Sequence, residues 1–184
     1  MLGLHGLHVA FRGLPNVQVV AHVDSNSDES EKKMSVTQAQ RYYSDYIEML
    51  DKESPDIVVL TSRHPGDHLS QIEAAAARGC HIYCEKPMTA DLNEADRIID
   101  LVETYGIKLC VAHPSRYSLA YREMKRLIEA GTIGTPLSAY GRGKCDHRGG
   151  GEDLMVLGTH ILDLQEFLFG FPERVWADVK TRAQ

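Results

Sequence analysis

His81-Ile82-Tyr83-Cys84-Glu85-Lys86-Pro87 is the stretch that decides the fold of this chain. Residues His81 to Cys84 have strand character, and they run straight into an acid, a lysine and a proline. A short apolar strand of this kind is covered on both faces in an α/β sheet. The residues just past its carboxyl end face the crevice where such proteins place their chemistry. Lys86 is therefore read as a crevice residue, with a surface lysine in a turn as the alternative. X-Pro bonds are the ones in which cis costs little, and a cis Lys86–Pro87 bond would turn the lysine inward.

The same pattern recurs on both sides. Val17 to Val23, ending in Asp24, reads as a strand, as do Asp56 to Thr61 behind Pro55 and Ile107 to Ala112. Helical stretches separate them. Gly66 to Arg78 is Ala-rich and closed by Gly79. In Asp91 to Tyr105, Leu92, Ala95, Ile99 and Val102 form an apolar face, Asp91 with Glu94 makes a capping-box-like start, and Gly106 stands at the exit. Alternating strands and helices imply βαβ units, a parallel sheet and right-handed crossovers.

The expected fold class is α/β: a Rossmann-like parallel sheet that lacks its first strand, followed by the start of an α+β domain. Residues 1–117 form the dinucleotide-binding part, incomplete at its amino end, and residues 118–184 open a second domain. In the second part a helix from about Leu119 to Ala130 ends at Gly131, and a Gly/Pro-rich turn runs to Pro136. Leu137 to Cys145 then reads as a strand, and Asp153 to Phe169 as a helix with Leu157, Ile161, Leu164 and Leu168 on one side. Arg174 to Lys180 is a final strand, and Asp24 to Lys33 is a polar, charged connector.

Composition narrows the class of protein. A chain of 184 residues, 43% hydrophobic and 25% charged, can bury a core and has the make-up of a globular protein. Its net charge of −6, with no dense Lys/Arg stripe, gives no footprint for a nucleic-acid backbone and argues against anionic membranes. No apolar run has the length of a membrane span, and the first residues lack the pattern of a secretion signal, so a cytoplasmic location is expected. Cys80, Cys84, Cys110 and Cys145 form no Cys-x-x-Cys pair and lie mostly in or beside apolar strands, which favours buried free thiols over disulfides or zinc.

Thr61-Ser62-Arg63-His64-Pro65-Gly66-Asp67-His68 ends one strand, Glu85-Lys86-Pro87 the next, and Arg116-Tyr117 follow the third. Gly149-Gly150-Gly151, Gly158-Thr159-His160 and Asp163 come after them. In that order these pieces resemble the Gfo/Idh/MocA family of nicotinamide-dependent sugar and cyclitol oxidoreductases. The resemblance covers most of the chain and implies hydride transfer between a secondary hydroxyl and NAD, with a large antiparallel sheet that commonly builds a homo-oligomer in the full-length form. It implies that the domain opened by residues 118–184 serves substrate binding and oligomerisation. It implies a cofactor-lining role for Thr61, Pro65, His68, Glu85 and Lys86. It also implies that Lys86 hydrogen-bonds the reacting hydroxyl and stabilises its developing alkoxide. His64 and His68 are four apart, a spacing that can share a metal on a helix, but Pro65 and the lack of a third ligand nearby weigh against one.

The amino terminus is read as the remainder of a phosphate-binding turn, with an ordinary turn and strand end as the alternative. A dinucleotide fold opens with a strand feeding Gly-x-Gly-x-x-Gly, whose amides hold the pyrophosphate. Here Gly3 and Gly6 lie in a helix-like lead, and Asp24 follows them by 21 and 18 residues. That is close to the offset of roughly 20 expected for a ribose-binding acid, so either glycine can be the last member of the motif. Asp24 as that acid would bond the ribose hydroxyls and repel a 2′-phosphate, predicting NAD over NADP; the alternative is an acid capping the next turn. Asn26 softens the exclusion less than an Arg would, and no Lys or Arg stands between Asp24 and Lys32.

His160 is the expected proton acceptor, since an imidazole can take the alcohol proton near neutrality. The family commonly carries an Asp four residues before this histidine, and Val156 stands there instead. Asp153 or Glu152 could reach in from the helix start, or the histidine could act alone; a core histidine bonded to backbone is the other reading. Arg116, Tyr117 and His147 are candidate substrate contacts or interdomain surface residues. Two further possibilities stay open: a glycosidase that uses bound NAD transiently, and a non-catalytic fragment or sugar-sensing module of the same fold.

Overall fold

The computed structural model describes residues 7, 11, 13–62, 64–142 and 154–178. The chain divides into two compact units, Met1–Ala112 and His113–Gln184.

The first unit contains the parallel sheets expected of the fold. β1 (Ala21–Val23) pairs in parallel with β2 (Arg41–Tyr43). A second sheet runs β3 (Ile57–Leu60), β4 (His81–Cys84), β5 (Leu109–Val111), again all parallel. β4 is central and coincides with the stretch that decided the fold. β1 is shorter than the expected Val17 to Val23, although backbone bonds to the β2 side begin at Val19 and Val20.

Helices α3 (His68–Ala76) and α4 (Leu92–Tyr105) lie between the strands of the second sheet in sequence, and α3 follows a single 3-10 turn, Pro65–Asp67. Parallel neighbours need such crossovers, because a hairpin cannot return the chain to the same end of the sheet. The core gathers Leu60, Ile72, Ala75, Ala76, Ile82, Cys84, Ile98, Leu101 and Ile107. Alanines at 75 and 76 let the α3 backbone sit close to its neighbours, and both are fully buried.

Several expectations need correction. The connector Asp24 to Lys33 runs into a helix, α1 (Ser30–Thr37), whose polarity hid it; Thr37 is its single buried residue. α2 (Tyr46–Glu53), capped by the Asp45 carboxylate on the Ile47 amide, was also not anticipated, nor was the three-residue β2. On α4 the buried positions are Ile98 and Leu101, whereas Leu92 is 84% and Ile99 51% exposed. Ile98 and Leu101 thus take the inward places expected of Leu92 and Ile99, while Val102 packs against the core as expected and Ala95 is half-buried. The Asp91 cap holds, accepting from the Asn93 and Glu94 amides, but the Asp91 amide donates to Thr89 Oγ1 in place of the Glu94 carboxylate. Of the cysteines, Cys80 and Cys84 are buried and Cys110 is exposed, contrary to expectation for the last; Cys145 lies outside the described residues.

The second unit starts with a 3-10 turn (Pro114–Tyr117) and α5 (Leu119–Glu129), capped by Ser118 on the Tyr121 amide. A π-helical turn, Leu154–Gly158, leads directly into α6 (Thr159–Phe169), so the expected helix is present with an altered first turn. Residues 137–142 and 174–178 are not strands, which corrects the reading of Leu137 to Cys145 and Arg174 to Lys180 over their described parts. Most of their apolar side chains are open: Leu137, Tyr140, Val175 and Trp176 are 81 to 97% exposed. A strand needs a partner ladder, and the described residues offer none there.

Candidate active site

Three carboxyl ends of parallel strands carry the candidate residues of the first unit. β4 delivers Glu85 and Lys86 directly, and both are buried, each at 8% exposure. The chain then turns through a cis Lys86–Pro87 peptide, the isomer expected from the sequence. A lysine ammonium is rarely found this buried unless something charged or polar accompanies it. Beside it, burial and the neighbouring Glu85 charge push the Cys84 thiol up to about 12, so this cysteine stays protonated and inert.

β3 delivers the Thr61–Ser62 turn. Thr61 is exposed, Pro65 opens the 3-10 turn, and Ser62 Oγ bonds both the His64 amide and Asp67 Oδ2. His68, by contrast, is fully buried. Its Nδ1 lies 2.9 Å from the Met88 carbonyl and its Nε2 3.0 Å from the Ser62 carbonyl. The ring therefore ties the turn after β3 to the loop after β4. A cofactor-lining role for His68 passes through that tie, since both ring nitrogens already face backbone oxygens. A metal role has no support in this geometry, and among the described residues no three His, Cys, Asp or Glu side chains cluster as ligands.

β1 delivers Asp24. Its Oδ1 accepts the Asn26 amide at 2.9 Å, which is the turn-capping arrangement weighed in the sequence. Its Oδ2 lies 2.7 Å from Lys33 Nζ, and the side chain remains 37% exposed. Burial raises the Asp24 carboxyl, but the Lys33 and Asn26 hydrogen bonds and the Lys33 charge outweigh it and hold the group below its ordinary value. An ionised, partly open carboxylate at a strand end has the acceptor chemistry that a ribose diol requires. Asp24 thus has the chemistry that the nucleoside end of a dinucleotide would need. Gly3 and Gly6, the candidates for the phosphate turn, lie outside the described residues.

In the second unit His160 occupies the first turn of α6 and Asp163 the next. Arg116 binds the Asp163 carboxylate through Nε at 3.2 Å and through Nη2, and its guanidinium also lies 5.7 Å from the centre of the Phe167 ring. The Asp163 hydrogen bond raises the Arg116 pKa further. Arg116 is therefore engaged in fixing α6, while Tyr117 is 63% exposed. His113 stands beside this pair. Its ring meets that of His160 edge-on at 5.8 Å, and its Nδ1 is 4.0 Å from Asp163 Oδ1. Sequence reasoning passed over His113; its place immediately after β5, at a strand end like the other candidates, was the available signal. Asp153, Glu152 and His147 lie outside the described residues, as does the triple-glycine run.

Parallel strands with an acid at the carboxyl end of one and a buried lysine at the carboxyl end of another are the architecture of a Rossmann-like α/β protein. Residues 4–113 match the oxidoreductase family with an NAD-binding Rossmann fold, Gfo/Idh/MocA, and residues 121–184 match the C-terminal domain of that family. The chain belongs to this family. It is 31% identical over 178 residues to a D-apiose dehydrogenase of Paraburkholderia graminis, covering 91% of this chain and 47% of that protein. It is also 31% identical over 149 residues to inositol 2-dehydrogenase 3 of Saccharopolyspora erythraea, covering 80% of this chain and 42% of that one. The chain thus spans about half the length of the curated relatives it matches. Its fold is that of a solved myo-inositol 2-dehydrogenase from Lactobacillus plantarum, with a TM-score of 0.78 at 23% identity, covering 91% of this chain and 55% of that one.

Proposed function

We propose that this chain is part of an NAD-dependent oxidoreductase that moves hydride between a secondary hydroxyl of a sugar or cyclitol and the nicotinamide ring. The observation that carries the reading is the buried Lys86 at the carboxyl end of β4. The names of the relatives, an apiose and an inositol dehydrogenase, support the substrate class and favour net oxidation over transient oxidation in a glycosidase.

The chemistry supplied by a bound nicotinamide is acceptance of the hydride from the carbinol carbon. Lys86 holds the substrate oxygen by donating a hydrogen bond, which strengthens as negative charge develops there. His160 takes the hydroxyl proton; with Val156 in place of an acid, the groups near this imidazole include His113, whose ring it meets edge-on and whose Nδ1 approaches the Arg116-bound Asp163. Asp24 accepts the ribose hydroxyls. Glu85, Thr61 and Pro65 line the cofactor crevice, and His68 holds the two loops that form it. Residues 1–117 carry the cofactor part and residues 118–184 belong to the substrate part.

A pyridine dinucleotide co-substrate fits operation in the cytoplasm, and no described helix is long and apolar enough to cross a membrane. The protein acts as a homo-oligomer, a reading supported by the open apolar side chains at Val175 and Trp176. The test is NADH absorbance on adding myo-inositol or D-apiose to protein with NAD. Steady NADH accumulation is expected, and turnover without net NADH would move the assignment to the glycosidase.

A further inference from the structure

The acid at the end of β1 has a companion in Lys33. Lys33 stands in the first turns of α1, and its side chain is 15% exposed, less than that of the carboxylate it meets. Its ammonium lies 2.7 Å from Asp24 Oδ2 and donates to the Asn26 carbonyl at 2.5 Å. The turn it holds is fixed from another side, because the Tyr42 hydroxyl lies within hydrogen-bond reach of the carbonyls of both Asp24 and Asn26, its one proton serving either. An ammonium carries three donors. Two are spent on this turn, which leaves one for an incoming oxygen.

An isolated carboxylate at this place in the fold repels a phosphorylated ribose. Here a fixed positive charge sits against it. The pair is mutual, since the Asp24 hydrogen bond raises the Lys33 pKa while Lys33 helps to hold Asp24 ionised. A ligand that approaches Asp24 therefore meets a compensated site, and a ligand carrying an extra phosphate meets a cation within one side chain's reach of the acid.

We propose that Lys33 is a cofactor-specificity residue whose ammonium offsets the Asp24 carboxylate, so that the 2′-phosphorylated dinucleotide is admitted as a weaker second cofactor beside NAD. This rests on the reading of Asp24 as the ribose-binding acid. Lys33 is a determinant of discrimination and takes no part in hydride transfer.

The experiment is calorimetric titration of the protein with NAD and with NADP, on the unaltered chain and on K33M, K33R and D24S. Methionine and arginine both keep good helix propensity, so α1 is retained. The unaltered protein is expected to bind both, NAD more tightly. K33M should lose about tenfold or more in NADP affinity, the scale of one hydrogen bond to a charged group, with a smaller change for NAD, and K33R should restore NADP binding. An NAD/NADP ratio unchanged in K33M, while D24S still weakens NAD, would overturn the role of Lys33 and leave Asp24 standing. Loss of NAD sensitivity to D24S, or no binding of either nucleotide, would overturn the ribose reading and this proposal with it. Without any cofactor, NMR titration of the Asp24 carboxyl should move to higher pH in K33M; no movement would show that the pair does not form in solution.

Discussion

At the residue scale the molecule separates groups that are poised from groups that are merely buried. Lys86 and Cys84 are near neighbours at one strand end, yet desolvation leaves the thiol protonated to about pH 12. Cys110, on the adjacent strand, is exposed. Iodoacetamide labelling at pH 8 followed by peptide mass analysis should therefore modify Cys110 and leave Cys80 and Cys84 untouched until denaturant is added. For Lys86, K86A should lower turnover by more than it weakens NAD binding, since its bond strengthens as the alkoxide forms. Loss of proton transfer in H160A should cost about 100-fold to 10,000-fold and remove the near-neutral limb of the pH-rate profile. Steady-state kinetics with NAD and a cyclitol check both, and activity within a few-fold after either change would place the chemistry elsewhere.

At the scale of elements, burial pattern decides what a substitution costs. On α4, I98A should destabilise by about 2–5 kcal/mol by opening a cavity, whereas L92A should stay within about 0.5 kcal/mol because Leu92 faces solvent. Urea denaturation of the two variants distinguishes them. β2 and α2 are joined by Glu53, which accepts from Arg41 Nη1 and from the Tyr43 hydroxyl. Those bonds, Tyr43 first, hold Glu53 below its ordinary 4.5. A carboxylate depressed on folding contributes stability above its unfolded-state value and loses it as pH falls through the folded-state value. Thermal melts should thus show acid sensitivity beginning below about pH 4.5, and E53Q should reduce that dependence. In the second unit a Cβ at Gly141 would lie 2.3 Å from Ile161 Cγ2 on α6, so G141A must displace that side chain and should lower the melting temperature.

At the scale of the whole molecule, the described strands leave edges without partners. β1 pairs with β2 alone, β3 with β4 alone, and the two sheets share no ladder among the described residues. Phe171, Val175 and Trp176 add open apolar surface at 81 to 86% exposure. Open strand edges and apolar patches pair with other chains. The 184-residue chain should self-associate, giving a light-scattering mass above 20.5 kDa. Trp176 is the single tryptophan, so its emission should move to shorter wavelength as concentration rises. A monodisperse monomer would contradict this.

What the sequence determined by itself was whatever local rules encode. β4 was legible to the residue because a buried strand is a run of apolar residues with a sharp chemical boundary, here Glu85-Lys86-Pro87. The α4 cap and its Gly106 exit were legible because they depend on side chains within a few residues of one another. Family membership followed from the same short motifs in order. Tertiary structure decided the rest, because the partners are distant in sequence or the signal is averaged away. α1 was invisible because a polar helix on the surface has no apolar period to read. The inward face of α4 was partly misplaced because Leu92 and Ile98 are similarly hydrophobic, and only packing into the shared core with α3 and the strands selects between them. The Lys33–Asp24 pair, the His68 tie between two loops and the Arg116–Asp163 pair were not readable: each needs the backbone to bring together residues that are 9, 6 and 20, and 47 positions apart.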